Sequence, residues 1–217
     1  QIRRGLDRGF KPELALDGTG GTYFLRDAAR QRAAVFKPQD EEPFAPNNPR
    51  SAMQGGFGNT AVSMRPGIEA GESYIREVAA FLLDKHHLHG VPATTLVEAK
   101  HPAFCYWDHK EKPKLGSFQE FVRHDMVVED ISNSRLSARE VQKIALLDMR
   151  ILNRDRNSVN ILVRTRRHRS SSCDGKASCG GSGRHNRHNS SHGDLSMTVG
   201  AVGNGGGGGG SRGAGWA

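Results

Sequence analysis

Asp155 and Asn160 stand five residues apart in the run Asn153-Arg154-Asp155-Arg156-Asn157-Ser158-Val159-Asn160-Ile161-Leu162-Val163. A carboxylate so placed can orient an attacking hydroxyl and accept its proton, and an amide oxygen beside it can ligate a divalent cation. Far upstream, Thr19-Gly20-Gly21-Thr22 offers glycine backbone N–H groups and two hydroxyls that can approach phosphate oxygens. Lys37 ends the run Ala33-Ala34-Val35-Phe36-Lys37, as a point charge able to reach two phosphates. Glu77 lies in a helical pattern between these segments and is suited to pair with Lys37. Each group alone also reads as something plainer: a polar turn capping a helix, a hairpin turn with a surface lysine, a solvated glutamate. Their order along the chain is what points to nucleotide binding and phosphoryl transfer.

The elements that must position these groups follow from apolar periodicity. Thr22 to Leu25 and Ala33 to Lys37 read as strands bridged by the polar Arg26 to Arg32. Pro38 to Gly71 is rich in proline and glycine and reads as an irregular excursion. Glu72 to His86 reads as a helix, with Ile75, Val78, Ala79 and Leu82 on one face, stopped by Gly90-Val91-Pro92. The histidines that follow it, His86, His87 and His89, are explained by the negative end of that helix. Thr94 to Glu98 and Gly116 to Val122 read as strands around a lysine-bearing loop. Ser137 to Leu152 is a second helix, with Ser137 as N-cap and Glu140 completing a capping box. Ile161 to Val163 is a short strand.

The chain has 217 residues, enough for one domain with a real core, but its composition is uneven. Residues 164–217 hold 15 of the 27 glycines, and they carry 8 Lys and Arg against 2 acids. The high pI therefore belongs mainly to this tail, which reads as low-complexity and disordered, and no nucleic-acid partner is expected from it. Cys173, Cys179, His185 and His188 have no common zinc spacing. Three cysteines fit a reducing, cytosolic compartment better than a disulfide framework. No apolar run approaches the roughly 20 residues of a membrane span. The first residue is not Met, which suggests a longer natural protein.

The string Val35-Phe36-Lys37-Pro38-Gln39-Asp40-Glu41-Glu42-Pro43, with Gly20-Gly21-Thr22-Tyr23-Phe24 before it and Asn48-Pro49-Arg50 after it, resembles the type II phosphatidylinositol 4-kinases, in particular their plant-type gamma branch. Arg76-Glu77-Val78-Ala79-Ala80, Gly90-Val91-Pro92, Gly116-Ser117-Phe118-Gln119-Glu120-Phe121-Val122 and Asn153 to Val163 extend the resemblance in family order. It implies an α+β, protein-kinase-like (phosphoinositide-kinase) fold of two lobes, with a β-rich N-lobe and an incomplete helical C-lobe. Residues 1–17 would be a lead-in, 18–163 a partial catalytic domain and 164–217 the disordered tail.

By position, the resemblance makes Lys37 the ATP-binding lysine, Thr19, Gly20, Gly21 and Thr22 the phosphate loop, and Glu77 the helix partner. It makes Asp155 the catalytic aspartate and Asn160 the metal-binding residue. The backbone of Phe121 or Val122 would contact adenine. The cofactors implied are ATP and Mg²⁺ or Mn²⁺. The implied substrate is phosphatidylinositol, met at a membrane by a cytoplasmic, peripherally attached protein with no transmembrane segment.

Two other readings stay open: a protein Ser/Thr kinase on the same fold, and a non-catalytic nucleotide-binding pseudokinase. The second arises because the family continues after its Asn-Ile-Leu-Val strand into an Ile-Asp-His-Gly-type segment with a second metal-binding aspartate. The resemblance ends at Val163. The only later acids, Asp174 and Asp194, do not follow an apolar strand. The chain thus reads as a fragment, as a product that runs into noncoding sequence, or as a degenerate kinase.

Overall fold

The structure is a computed structural model that describes residues 1–50, 69, 71–153, 156–166 and 194–199. The described residues form two antiparallel sheets and three α-helices. The chain opens with α1 (Ile2–Asp7) and β1 (Glu13–Leu14), then passes through the glycine-rich turn into β2 (Tyr23–Arg26) and β3 (Arg32–Pro38). A short 3₁₀ turn, Gln39–Glu41, follows directly. After it come α2 (Ser73–Leu83), β4 (Thr94–Ala99) and β5 (Lys114–Glu120). The first sheet has the order β1-β2-β3-β5-β4.

Alternation along these strands sorts their side chains onto two faces. Tyr23, Leu25, Ala34 and Phe36 form one core, closed by Phe104 from the β4–β5 loop. Tyr23 and Phe36 set their rings 4.9 and 5.3 Å from that of Phe104. On the opposite face Ala15, Phe24 and Val35 pack together with Phe121, whose ring meets Phe24 edge-on at 5.7 Å. Lys37 shares the face of Val35 by alternation, and its register partner on β5 is Ser117. Next to that pair, Gly116 has to be glycine, because a Cβ there would sit 2.3 Å from the Lys37 carbonyl oxygen.

The second sheet, β6-β7-β8, joins β6 (Met126–Val127), β7 (Ile161–Arg166) and β8 (Asp194–Val199). Ile131, Ile144, Val163 and Met197 form its core against α3 (Ala138–Ile151). Ser137 caps α3 as expected, its Oγ accepting from the Glu140 N–H at 3.3 Å. The other half of the capping box is absent. The Glu140 carboxylate instead accepts from Lys143 Nζ at 2.7 Å and from the Met197 N–H of β8 at 3.1 Å.

The expected strands and both expected helices are present, with ends moved by a few residues; α2 stops at Leu83 rather than His86. The expectation of disorder from Arg164 onward needs correction. β7 continues to Arg166, and β8 pairs with it antiparallel from Ile161–Val199 to Arg166–Asp194. β8 forms because Leu195, Met197 and Val199 alternate with Ser196 and Thr198, so one side of the strand is apolar and joins the core around Val163. Cys173, Cys179, His185, His188 and Asp174 lie outside the described residues. Asp194 opens a strand rather than following one.

Candidate active site

The Lys37 ammonium is ion-paired with the Glu77 carboxylate of α2. The second Glu77 oxygen accepts from Ser117 Oγ at 2.8 Å. Three elements thus converge on one carboxylate: β3 through Lys37, β5 through Ser117, and α2, which carries it. Lys37 and Glu77 keep 25% of their side-chain surface open, so the pair stays reachable from solvent. Ser117 is buried and was not singled out from sequence. Its signal was its position directly across the sheet from Lys37.

The glycine-rich turn joins β1 to β2 and brings Thr22 alongside Lys37, one step beyond the Tyr23–Phe36 pair. Its glycines answer to a packing demand inside the protein. The Gly21 N–H donates to the Glu41 carbonyl at 2.8 Å, so this donor is committed inside the protein. A Cβ on Gly21 would meet the Glu41 carboxylate oxygen at 2.2 Å. The turn therefore lies directly on the Gln39–Glu41 segment. Asn48 holds it from the far side, donating to the Thr19 carbonyl at 2.9 Å, and Arg50 donates to the Ala15 carbonyl at 2.6 Å. The exposed Thr19 and the half-buried Thr22 remain as hydroxyl donors at its rim.

Glu41 itself has no solvent exposure. Tyr23 Oη donates to it at 2.6 Å, the Cys105 N–H at 3.0 Å, and Lys114 Nζ lies 3.0 Å away. Burial pushes the Glu41 carboxyl above the usual range while these donors pull it down. Burial likewise pushes the Tyr23 phenol well up, reinforced by the Glu41 charge. Lys114, almost wholly buried, also pairs with Asp40 at 2.6 Å and lies over the Tyr106 ring at 4.6 Å. Glu41 and Lys114 satisfy each other as buried charges must, whereas Asp40 takes its bonds on Oδ2 and leaves Oδ1 buried without a partner.

A small cleft opens between Val35, Pro92, the segment Gln119 to Val122, and Leu162 at the start of β7. Val35, Pro92, Phe121, Val122 and Leu162 make most of its wall apolar, and the space it encloses is small. The Phe121 N–H is already given to the Ala33 carbonyl at 3.0 Å. The Val122 carbonyl lies 3.0 Å from His124 Nδ1. Of the two residues expected to meet adenine through their backbone, Phe121 thus has its N–H committed within the protein.

Leu162 places the base of this cleft at the strand that follows the Asn153–Asn160 loop. Asp155, with Arg154, lies outside the described residues. Its neighbours are firmly held. Arg156 forks onto the Asp148 carboxylate of α3, with Nε at 2.9 Å from one oxygen and Nη2 at 2.5 Å from the other. Asn153 Nδ2 adds a third donor at 2.9 Å. Burial acts to raise the Asp148 carboxyl, but Arg156 and Asn153 together hold it below the usual aspartate range. Neither Asp148 nor Arg156 was recognised from sequence, although the fork between a helix acid and a loop arginine has a fixed geometry. Beyond them Asn157 caps the turn that carries Asn160, its Oδ1 accepting the Asn160 N–H at 3.0 Å.

For a metal, the donor set is thin. Among the described residues no group of three or more His, Cys, Asp or Glu side chains could hold an ion. Asn160 contributes one amide oxygen, so a divalent cation here would need the nucleotide phosphates as further ligands.

The family profile described as phosphatidylinositol 3- and 4-kinase matches residues 18–175. Phosphatidylinositol 4-kinase gamma 6 of Arabidopsis thaliana is 40% identical over 174 residues, covering 75% of this chain and 28% of that protein. Phosphatidylinositol 4-kinase gamma 5 of the same plant is 37% identical over 172 residues, 75% of this chain and 27% of that protein. Phosphatidylinositol 4-kinase gamma 4 of Oryza sativa subsp. japonica is 39% identical over 171 residues, 73% of this chain and 28% of that protein. The chain thus spans little more than a quarter of the length of these relatives. With the profile covering the glycine turn, the Lys37–Glu77 pair, the cleft and the loop before β7, the chain belongs to the phosphatidylinositol 3- and 4-kinase family.

Proposed function

We propose that this chain carries the nucleotide-binding and catalytic-loop part of a phosphatidylinositol 4-kinase, which transfers the γ-phosphoryl group of ATP to the inositol 4-hydroxyl of phosphatidylinositol. The observation that carries this reading is the Lys37–Glu77 ion pair, fixed by Ser117 near a small, mostly apolar cleft. In a two-lobed arrangement the five-stranded sheet with α2 is the N-lobe, and α3 with the second sheet opens the C-lobe.

The residues divide the work. Val35, Pro92 and Leu162 enclose the base, and the Val122 N–H and Phe121 carbonyl offer it hydrogen bonds. Lys37 takes the phosphates, with its ammonium held in place by Glu77. Thr19 and Thr22, with the backbone at Gly20 and Gly21, line the phosphate side. Asp155, in the loop anchored by the Asp148–Arg156 fork, orients the inositol hydroxyl and accepts its proton. A bound Mg²⁺ or Mn²⁺ would supply charge neutralisation at the phosphates, and Asn160 would be the residue that holds it. The lipid is met by peripheral attachment at the cytoplasmic surface; among the described residues no helix is long and apolar enough to cross a membrane.

The test is transfer of label from γ-labelled ATP by the purified chain, offered phosphatidylinositol in mixed micelles and a generic protein in parallel. Label is expected on the lipid, falling at least about 100-fold in Asp155→Ala with nucleotide affinity retained. Lys37→Ala is expected to lose nucleotide affinity itself. Label on protein alone moves the acceptor to Ser/Thr side chains. Nucleotide binding without transfer to either acceptor makes the chain a non-catalytic binder.

A further inference from the structure

α2 carries Glu77 but brings no cap of its own. Glu72, at its N-cap position, makes no side-chain cap hydrogen bond, and the first turn contains no acidic residue. Its leading N–H groups are satisfied from elsewhere in the chain. Glu42, 31 residues before Ser73, points its carboxylate at the helix start, with Oε2 accepting from the Ser73 N–H at 3.1 Å and Oε1 from the Tyr74 N–H at 2.8 Å. A negative charge here also meets the positive end of the helix dipole. Glu42 is 6% exposed, and no ion-pair partner for it is found among the described residues. A buried carboxylate without a cation is costly unless its hydrogen bonds are specific and complete. Burial raises its carboxyl above the usual range, the Tyr74 and Ser73 N–H groups lower it, and the nearby Glu77 charge raises it further.

Chain connectivity gives this cap its meaning. Lys37 is on β3, and the chain leaves β3 at Pro38 straight into the Gln39–Glu41 turn and Glu42. The same turn also holds the segment leading into α2, Gln39 Nε2 donating to the Gly71 carbonyl at 3.2 Å. Glu42 therefore ties the start of α2 to the strand of Lys37, and Glu77 lies one helical turn beyond Ser73 and Tyr74.

We propose that Glu42 is a positioning residue for the Lys37–Glu77 pair: it fixes α2 in axial position and rotation against β3, so that Glu77 meets the Lys37 ammonium. Its consequence for catalysis rests on the nucleotide-binding reading above, but its geometric content does not.

The test therefore uses a readout that needs no nucleotide. An amine held against a carboxylate is acylated more slowly than one free in water. Acylation of Lys37 by acetic anhydride is followed by peptide mass spectrometry in the full chain, with the exposed Lys110 as internal reference. Glu77→Gln is expected to raise the Lys37 rate. Glu42→Ala is expected to raise it by a similar factor, and the double variant no further than Glu77→Gln alone. Glu42→Gln, which keeps one acceptor oxygen, falls between and also serves if the alanine variant fails to fold. In parallel, MgATP affinity drops about tenfold in Glu42→Ala, the scale of hydrogen bonds made to a charged group.

A wild-type Lys37 rate in both Glu42→Ala and Glu42→Gln overturns the proposal, as do rate factors that multiply in the double variant. If the acylation pattern holds while the unmodified chain binds no MgATP, the positioning role stands and the nucleotide reading falls.

Discussion

Gly21 was readable in the sequence as a residue of a phosphate-approaching turn, and the structure adds a tighter constraint. Its N–H is spent on Glu41, and its missing side chain is what lets Glu41 lie beneath the turn. Nothing in the sequence marked Glu41 as buried, because acidic residues almost never are unless paired, and its partners Tyr23, Cys105 and Lys114 come from distant segments. Gly21→Ala should therefore destabilise the folded chain even without nucleotide, by about 2 kcal/mol or more, as overpacking against a buried and fully bonded carboxylate does. The midpoint of urea unfolding measures this. An unchanged midpoint would mean that Glu41 can move aside at little cost.

At the level of elements, β2 to β5 and both long helices were legible because their alternation or 3.6-residue spacing is strong. β1 was missed because two residues hold no period. β8 was missed for a different reason. Its Leu-Ser-Met-Thr-Val alternation is regular, but it sits among Gly, Ser and His, and composition outweighed pattern. The supports of α3 were also hidden, since they pair groups from separate segments. Both carboxylates it offers, Asp148 and Glu140, are held below their usual range: burial works against this, and hydrogen bonds from Arg156 and Asn153, and from Lys143 and the Met197 N–H, outweigh it.

A depressed folded-state value means that the unfolded chain binds more protons in the acid window. The stability these groups contribute is present above the unfolded values, about 3.9 for Asp and 4.3 for Glu. It is lost as pH falls through the folded ones. Asp148→Asn should cost about 2 kcal/mol near pH 7. It should also flatten the acid limb of a melting-temperature profile taken from pH 7 to pH 3. A parallel downward shift of the whole profile would contradict the assignment.

For the whole molecule, the two sheets differ in how they are assembled. β2 and β3 are joined by a short turn and pair as soon as they meet. β7 and β8 are partners whose closing pair, Arg166 and Asp194, brackets 27 residues of intervening chain. Closing such a loop costs about 2 kcal/mol more entropy than closing a two-residue turn. That cost falls before the pairing can repay it, so β8 should be the last strand to arrive and nearly absent from the folding transition state. Replacing residues 167–193 with Asn-Gly should accelerate refolding in a stopped-flow chevron, and a Met197→Ala change in β8 should speed unfolding while leaving the refolding limb almost unmoved. The length of this one connection thus acts as a clock on the second sheet: it sets when the strand paired with β7 locks into place, while the strand's own alternation sets where.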